Sequence, residues 1–321
     1  MSKSTKILLI VAAALVLIGG IVCSCAMMLY FEDSYKLDKY DTITYDITDE
    51  FRDIIVKSST EDINFRISEN DECKVVCYES KKTKHSVGVT QGVLNINEVD
   101  TRKWYDHIQL FSLSASPKIT VYMPKGDYGN LKIDVSTGDV EIGTDFRFDS
   151  IDIKGSTGHV KCYSSALGEV KIKKSTGDIY LSGMQSGAFD LSTSTGDISL
   201  SEINCDGDLK VSVSTGDIRI NDVSCGSFHT TGNTGSIAMD GVFAQREFDI
   251  KRSTGDIILN KCDASEISIK TDTGSVKGSL MSEKVFLIST DTGKKDVPET
   301  TSGGKCQITT DTGDIKITIV K

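Results

Sequence analysis

Alternating apolar and polar positions dominate the chain from about residue 130 onwards. The alternation is organised around a Thr-Gly dipeptide that recurs ten times at intervals of 19 or 20 residues. Apolar residues stand seven and five positions before most of these glycines and two and four positions after them, as in Leu131, Ile133, Val140 and Ile142 around Gly138. A spacing of two on both sides is the period of a β-strand whose alternate side chains face one core. The ten glycines are Gly138, Gly158, Gly177, Gly196, Gly216, Gly235, Gly255, Gly274, Gly293 and Gly313.

Each repeat therefore predicts a strand, a tight Ser-Thr-Gly-Asp turn, a second strand and a short polar return. A third apolar position follows seven residues after the glycine, at Met184, Ile203, Val223, Val242 and Cys262. Such a unit cannot bury its own apolar face, so neighbouring units must stack on it. The sequence predicts an all-β fold, a parallel β-solenoid (β-helix) with coils of 19–20 residues. A β-sandwich fits less well because its hairpins vary in length, and propeller blades need about 40 residues.

Two weaker matches to the repeat precede the regular ones. Ser59-Thr60-Glu61-Asp62 has the turn pattern with glutamate in the glycine position, and Gln91-Gly92 is a fainter match. The apolar residues around these two turns are Ile54, Val56, Ile63 and Phe65, then Val87, Leu94 and Ile96. We expect degenerate coils and a cap over residues 51–130, and regular repeats over residues 131–321.

An apolar segment near the amino terminus predicts a membrane anchor. Residues 7–31 are 25 consecutive uncharged and mostly apolar positions, preceded by Lys3 and Lys6. A span needs about 20 apolar residues, and the lysines should stay on the cytoplasmic side. We expect a cytoplasmic tail over residues 1–6, one transmembrane helix over 7–31, a linker over 32–50 and an extracytoplasmic domain beyond it. A lipoprotein modified near Cys25 and a cleaved signal peptide are the alternatives.

Charge and composition exclude several classes of protein. The chain has 36 Lys and Arg against 46 Asp and Glu, a net charge of −10. A nucleic-acid-binding protein needs a basic face to neutralise phosphates, so we expect no nucleic-acid partner. Only 4 His are present, which leaves little material for a histidine-based metal or catalytic centre. An acidic surface instead favours cationic partners or divalent ions.

The acidic residues of the turns have two interpretations. Glycine supplies the positive φ of the turn, and hydroxyl and carboxylate side chains can bond nearby backbone amides. Stacked carboxylates also hold calcium in some repeat proteins, which makes Asp178, Asp197 and Asp217 weak candidates for Ca²⁺ ligands. The aspartate column is interrupted, however, at His159, Ser236, Ser275 and Lys294. We therefore expect no cofactor, with Ca²⁺ as the alternative.

Seven Cys lie beyond the predicted anchor. Cys205 and Cys225 both follow their glycine by nine residues, so they should lie on adjacent coils within reach of a disulfide. A buried pair of thiols is the equal alternative, because free cysteine packs as a small apolar residue.

The sequence offers no catalytic motif and a single candidate for partner contacts. The regular repeats vary by one residue, so they leave no room for the long loops on which solenoid enzymes build clefts. The segment around Trp104, Tyr105 and His107 interrupts the early coils and carries the only Trp of the chain. It is either a cap over the open end of the solenoid or a site that binds a partner.

The repeat resembles that of a bacterial family of unknown function whose members are described as "putative adhesins" (domain of unknown function 4097). The Ser-Thr-Gly-Asp-Ile pattern carries the resemblance, at residues 136–140, 175–179, 194–198, 214–218 and 253–257. The strand residues 119–126 and 131–135 are also similar to the family, and the likeness covers roughly residues 43–321. The resemblance implies a parallel solenoid on the cell surface, often with a membrane anchor and sometimes linked to envelope-stress systems, and it implies no catalytic residue.

These observations together predict a single-pass cell-membrane protein whose extracytoplasmic solenoid is a non-catalytic surface for binding or adhesion. The expected partner is a cell-envelope component or a membrane protein. The alternative is a scaffold or sensor subunit of an envelope-stress system, and an enzyme acting on glycans is a more distant third.

Overall fold

The computed structural model describes residues 41–79, 83–100 and 117–320, together with a few positions before residue 25. This part of the chain is built almost entirely from β-strands. The strands are β1 (Asp41–Ile47), β2 (Asp53–Ser58), β3 (Asp62–Ile67), β4 (Cys73–Glu79), β5 (Thr83–Thr90), β6 (Val93–Asp100), β7 (Lys118–Met123), β8 (Gly126–Thr137), β9 (Val140–Ile142), β10 (Phe146–Thr157), β11 (Val160–Cys162), β12 (Ser165–Ala166), β13 (Glu169–Thr176), β14 (Ile179–Ser186), β15 (Ala188–Thr195), β16 (Ile198–Cys205), β17 (Asp208–Thr215), β18 (Ile218–Cys225), β19 (Ser227–Thr234), β20 (Ile237–Thr254), β21 (Ile257–Thr273), β22 (Val276–Leu280), β23 (Lys284–Thr292), β24 (Lys295–Asp296), β25 (Gly304–Thr312) and β26 (Ile315–Ile319).

The strands stack as the coils of a parallel β-solenoid, which confirms the predicted fold. Strands before the turns pair in parallel with their equivalents one coil away, and strands after the turns do the same. Equal positions of the repeat coincide, so that Thr176 lies opposite Thr195 and Thr195 opposite Thr215. The alternating apolar residues form columns inside the stack, and the third apolar position is buried there as well. One continuous core therefore runs along the solenoid axis.

The turn glycines are required for two separate reasons. Gly196 and Gly216 have φ of 141° and 144°, a backbone conformation that residues with a Cβ rarely adopt. A Cβ on either glycine would also overlap the carbonyl oxygen of the turn glycine in the coil before it. The regular Thr-Gly period is thus a consequence of how closely the turns stack.

The order of coils at the amino-terminal end differs from the order in the sequence. β2 pairs with β6 on one side and with β8 on the other, and β3 lies in the same way between β7 and β9. The coil formed by β2 and β3, which comes first in the sequence, therefore lies between the coil of β6 and β7 and the coil of β8 and β9. The match at Ser59-Thr60-Glu61-Asp62 is confirmed as a turn of the solenoid.

The interpretation of Gln91-Gly92 as a solenoid turn is wrong. These two residues connect β5 to β6 in an antiparallel hairpin, and both have positive φ, at 54° and 76°. Two central residues with positive φ are typical of a tight hairpin turn. Leu94 and Ile96 consequently stack on Ile54 and Val56, in the strand before a turn rather than after it.

Antiparallel strands cover the amino-terminal end of the solenoid. β5 pairs with β6, β4 pairs with β7, and β1 pairs with β4. β1 falls within residues 32–50, which the sequence assigned to a linker, so part of that region is ordered as an edge strand. These strands shield the last apolar layer from water and replace the free edges of the parallel coils.

The carboxyl-terminal end shows the same inversion of coil order. β25 pairs with β21 on one side and β23 on the other, while β26 pairs with β22 and β24. The coil of Gly313, last in the sequence, is therefore inserted between the coils of Gly274 and Gly293. The coil of Gly293, formed by β23 and β24, becomes the end of the solenoid.

Within the predicted membrane anchor, residues 15–22 are α-helical and exposed. In the part of the chain that the structure describes, no helix has the length and apolar character needed to span a membrane. Most of residues 7–31 lie outside the described residues, so the transmembrane helix stays a prediction.

Candidate functional site

The longest connection between two consecutive strands emerges from the end coil at the amino-terminal side. β6 ends at Asp100 and β7 begins at Lys118, and these strands stack on β2 and β3. In the coil of β2 and β3, the corresponding connection is the tight turn of residues 59–62. The chain thus leaves β6 and enters β7 at the two points that a short turn connects in the other coils.

Two backbone amides of the adjacent coil bond to residues on either side of this connection, one to a side chain and one to a carbonyl oxygen. The amide of Ser59 donates to Oε2 of Glu98, shortly before the connection begins. The amide of Asp62 donates to the carbonyl oxygen of Pro117 at 3.0 Å, where the connection ends. The positions on either side of residues 101–116 are therefore anchored to the coil of β2 and β3.

Glu61 stands in the glycine position of the turn formed by residues 59–62, in the coil next to β6 and β7. Its side chain is fully buried, and its Oε2 accepts a hydrogen bond from Ser58 at 2.7 Å. Its Oε1 lies 2.8 Å from Nε2 of His85. A glutamate is tolerated here because its backbone, unlike that of the turn glycines, does not have a positive φ.

His85 lies between two buried carboxylates. Its ring contacts Glu61 through Nε2 and Glu79 through Nδ1, the latter at 3.3 Å. Burial alone would lower the pKa of His85, but hydrogen bonds to Cys77 and Glu61 and the negative charge of Glu61 raise it to about 10. His85 is therefore a buried cation at neutral pH.

Glu79 is held ionised by donors from three directions. Burial tends to raise the pKa of Glu79, but hydrogen bonds from Tyr45, the amide of His85 and Lys84 outweigh it and lower the pKa. The hydroxyl of Tyr45 donates to Oε1 of Glu79 at 2.7 Å. Since Tyr45 belongs to β1 and Glu79 to β4, the cluster ties the capping strands to the coil that carries Glu61.

The cluster contains cysteine, histidine and glutamate, but it is not accessible as a catalytic centre. The side chain of His85 is 0% exposed and that of Glu61 is also 0% exposed. Burial raises the pKa of the Cys77 thiol, which disfavours the nucleophilic thiolate. The cluster is thus a buried ion network that joins β1, β4 and β5 to the turn that carries Glu61.

The aspartates proposed as calcium ligands form a hydrogen-bonded ladder along the turn edge. The amides of most residues in this column donate to the side chain of the neighbouring coil, as from Asp197 to Oδ1 of Asp178 and from Asp217 to Oδ1 of Asp197, both at 2.8 Å. The other oxygens of Asp197 and Asp217 bind the guanidinium of Arg219 at 2.8 and 2.7 Å. His159 takes part through Nδ1, which accepts from the amide of Asp178. These contacts already use the carboxylate oxygens that a Ca²⁺ ion would need.

Burial tends to raise the pKa of Asp197, but the amide of Asp217 and the charge of Arg219 lower it below its usual range. In the described ranges, no group of three or more His, Cys, Asp or Glu side chains is arranged to hold a metal ion.

Cys205 and Cys225 are buried free thiols in the structure. They follow residues Asn204 and Ser224, which pair on neighbouring coils. The thiol of Cys205 donates to the carbonyl oxygen of Asp208 at 3.6 Å, and that of Cys225 donates to Phe243 at 3.7 Å. Burial raises the pKa of Cys205 to about 11 and that of Cys225 to about 12. The disulfide stays a prediction, and the contacts show how the two thiols are accommodated without it.

The model of one protein family matches residues 51–213 and 205–321, which together include every coil of the solenoid. The chain belongs to the Toastrack DUF4097 family. The resemblance noted from the Ser-Thr-Gly-Asp-Ile repeat is thereby confirmed. No curated protein is significantly similar to the chain.

Solved structures from Bacteroides fragilis and Parabacteroides distasonis are similar to this Toastrack protein. A putative adhesin from Bacteroides fragilis is 17% identical, with 87% of this chain and 97% of that chain covered and a TM-score of 0.39. A putative adhesin from Parabacteroides distasonis is 13% identical, with 85% and 98% covered and a TM-score of 0.42. A putative lipid binding protein from the same organism is 18% identical, with 74% and 96% covered and a TM-score of 0.38.

Sequence reasoning found the connection of this Toastrack solenoid but missed the cluster beneath it. Trp104, Tyr105 and His107 lie outside the described residues, and their role in partner binding stays a prediction. Glu61, His85 and Glu79 were not predicted to meet, because they belong to three segments that only the inverted coil order brings together. The sequence signal for this cluster was the glutamate at position 61, where the repeat has glycine.

Proposed function

We propose that this protein is a membrane-anchored, extracytoplasmic β-solenoid that serves as a non-catalytic binding or adhesion surface in the cell envelope. One observation carries the proposal. The coils leave a single long connection, residues 101–116, and both of its ends are fixed to a rigid scaffold by hydrogen bonds at Ser59 and Asp62. A rigid rod with one anchored loop is suited to presenting a contact surface.

The chemistry of that connection supports partner contacts. It contains Trp104 and Tyr105, residue types enriched at the centres of protein interfaces, together with Arg102 and Lys103. Elsewhere the turn edge is occupied by the aspartate ladder, whose carboxylates already bind amides and Arg219. The proposed contact surface is therefore at the amino-terminal end of the rod.

The proposed anchor places this surface near the membrane. Residues 7–31 precede β1, which lies at the same covered end as residues 101–116. A helix across the membrane over residues 7–31 would leave a connection of nine residues, 32–40, before β1. The rod would then project from the membrane with the coil of β23 and β24 at its far end.

A non-enzymatic role is supported by the state of the candidate reactive groups. The thiol of Cys77 and the imidazole of His85 lie buried beside Glu61. The aspartates of the turn edge are engaged in the ladder. We therefore assign the activity of this protein to binding.

The test uses the full chain in lipid nanodiscs, incubated with cell-wall fragments and, separately, with solubilised membranes of the source cell. Retention on wall fragments supports adhesion to an envelope polymer. Capture of one membrane protein supports the alternative role as a scaffold or sensor subunit. Retention of neither material overturns the proposed function.

Paired variants locate the contact surface. We expect the double variant Trp104→Ala/Tyr105→Ala to lose retention while its circular dichroism spectrum stays unchanged. Tyr180→Ala is the matched control, because Tyr180 is a partly exposed aromatic residue on a central coil. Equal retention of both variants would remove residues 101–116 from the proposal, and unfolding of the double variant alone would assign them a capping role.

A further inference from the structure

The end of the solenoid farthest from β1 carries a strand with a free edge. β23 pairs with β25 on one side, and its other side has no partner strand in the described part of the chain. Phe286 and Ile288 face the core, yet both are only partly buried. Their equivalents one coil away, Cys306 and Ile308, are 0% exposed. The last apolar layer is thus left partly open to water.

The outer face of the same strand is also apolar. Val285 is 37% exposed and Leu287 is 51% exposed. In the adjacent coil, the residues paired with them are Lys305 and Gln307. A strand that is apolar on both faces is typical of the interior of a sheet, whereas edge strands normally carry charge. Residues 285–288 of β23 are thus apolar on both faces, between Lys284, whose ammonium is buried against Asp263, and the polar residues 289–292.

The remaining chain is poorly placed to cover β23. Eleven successive strand pairings separate β6 from β23, and at about 4.8 Å each they span roughly 50 Å. Residues 101–116 leave and return at the far end, so they extend at most about 27 Å. Residues 32–40 extend about 30 Å from β1. Among the residues that precede β7 and lie outside the described ranges, only residues 1–31 could reach β23, and these carry the proposed anchor, on which this step rests.

We propose that β23 pairs in an antiparallel manner with β23 of a second copy of this chain, about a two-fold axis at Leu287. In this register Leu287 faces its own copy on the outer side. Phe286 lies opposite Ile288 of the second copy on the core side, so apolar residues meet on both faces. Each backbone edge supplies the donors and acceptors that the other lacks.

The contact closes on itself and produces a dimer. A two-fold contact uses the same edge of both copies, so no free β23 edge remains for a third. The second sheet does not extend the contact, because β24 has only two residues and carries lysine at Lys295, next to Lys294. Short strands and lysines on an edge discourage pairing. The opposite end of the rod is covered by β1, β4 and β5, which excludes head-to-tail growth.

The geometry of the dimer has a functional consequence. The two-fold axis is perpendicular to the solenoid axis, so the two rods lie end to end with their amino termini at opposite ends. If residues 7–31 are the anchor, each copy is then held in a different membrane. The class of partner at this surface is therefore a second copy of the chain on a facing cell or vesicle.

Site-specific crosslinking tests the pairing on the full chain in detergent. The variant Leu287→Cys, in a background of Cys23→Ser/Cys25→Ser, brings two thiols directly opposite each other, at about 5 Å between Cα atoms. Gln307→Cys is the matched control: it lies on the same face one coil inward, and the two copies would be about 14 Å apart. We expect a covalent dimer from Leu287→Cys under mild oxidation and its loss in Gln307→Cys. Equal crosslinking of both variants, or of neither, overturns the pairing.

A second pair of variants keeps the test independent of disulfide chemistry. Leu287→Lys should convert the dimer to a monomer in sedimentation velocity, while Gln307→Lys should leave the dimer intact. A chain that is monomeric before any substitution overturns the proposal, as does a β23 edge occupied by a different polypeptide. Tethering of two vesicle populations then tests the anchor separately. If Leu287→Cys crosslinks in detergent but the chain does not tether vesicles, the dimer is supported and the membrane orientation given in the proposed function is wrong.

Discussion

The guanidinium group of Arg252 occupies the space beside Gly232, its paired residue in the preceding coil. Nε of Arg252 donates to the carbonyl oxygen of Gly235 at 2.7 Å, and Nη1 donates to that of Val213 at 3.0 Å, two coils back. A methyl group on Gly232 would overlap both Nη1 and the oxygen of Val213. The same relationship recurs where the ammonium of Lys174 lies beside Gly155. In both pairs, a long cationic side chain occupies the space that the missing side chain of the paired glycine leaves free.

Replacing Gly232 should therefore destabilise the solenoid by overpacking. We expect Gly232→Ala to lower the free energy of unfolding in urea by about 1–3 kcal/mol. Gly126→Ala is the control, since a Cβ on Gly126 has no atom within 4 Å. Equal unfolding midpoints for the two variants would contradict the packing described here.

Removing the cation should be costly for a different reason. Arg252 is 3% exposed and bonds carbonyl oxygens of the turn, so Arg252→Met should cost at least about 2 kcal/mol of unfolding free energy. Arg219→Met removes an exposed arginine paired with Asp197 and Asp217, and exposed pairs contribute about 0–1 kcal/mol. A larger loss from Arg219→Met than from Arg252→Met would show that the buried contacts do not stabilise the fold.

Close stacking, in addition to positive φ, should make the turn glycines irreplaceable. Gly183 has φ of 67° and open space around it, whereas Gly196 has φ of 141° and the carbonyl oxygen of Gly177 beside it. Alanine at Gly183 incurs the strain of the left-handed region, about 1 kcal/mol, and alanine at Gly196 incurs about 1–3 kcal/mol because its φ lies in a region that is essentially limited to glycine. We expect Gly196→Ala to exceed Gly183→Ala by a further 1–3 kcal/mol or so in the same unfolding assay. Similar losses in the two variants would contradict the expected overlap between a Cβ at residue 196 and the carbonyl oxygen of Gly177.

The buried histidine predicts a pH dependence. The pKa of His85 is about 10 in the fold, above the value of about 6.5 for unfolded histidine. A raised pKa stabilises the fold fully below about pH 6.5, and this contribution is lost as the pH rises towards 10. The free energy of unfolding should therefore fall above about pH 6.5, with a slope of at most 1.4 kcal/mol per pH unit or so.

The window from about pH 6 to 7 isolates this group, because unfolded cysteine, with a pKa of about 8.5, and unfolded tyrosine ionise mainly above it. Urea unfolding across that window should show the slope in the unmodified chain and not in His85→Gln. The exposed His159 provides the control substitution His159→Gln, which should keep the slope. Glu79, whose pKa is lowered, contributes in the opposite direction, and its contribution is lost as the pH falls below about 4. An unchanged slope in His85→Gln would contradict the buried ion cluster.

The aspartate ladder predicts that calcium does not stabilise the solenoid. The oxygens of Asp197 are already bound to the amide of Asp217 and to Arg219, so a Ca²⁺ ion would have to displace both. We expect the same melting temperature with Ca²⁺ and with a chelator. A rise in Tm with Ca²⁺ that disappears in the triple variant Asp178→Asn/Asp197→Asn/Asp217→Asn would restore these residues as metal ligands.

The regular part of the fold could be predicted from the sequence because every coil repeats the same local rule. A glycine that must approach the carbonyl of its neighbour fixes the period, and the apolar residues two positions apart fix the core face. Glu61 in a glycine position and Lys294 in an aspartate position were visible as departures from the pattern. Their meaning was not visible, because each depends on which coil lies above or below it.

The order of the coils at both ends was decided by the tertiary structure. Coils with the same residue types at the turn and core positions can stack in any order. The Thr-Gly period therefore does not distinguish one order of coils from another. The choice comes from contacts between segments far apart in the chain. At the amino-terminal end, His85 meets Glu61 and Glu79. At the other end, Lys284 meets Asp263 at 2.6 Å, with both side chains largely buried. The sequence by itself determined the repeating unit, and only these long-range contacts determined which unit ends the solenoid and presents β23.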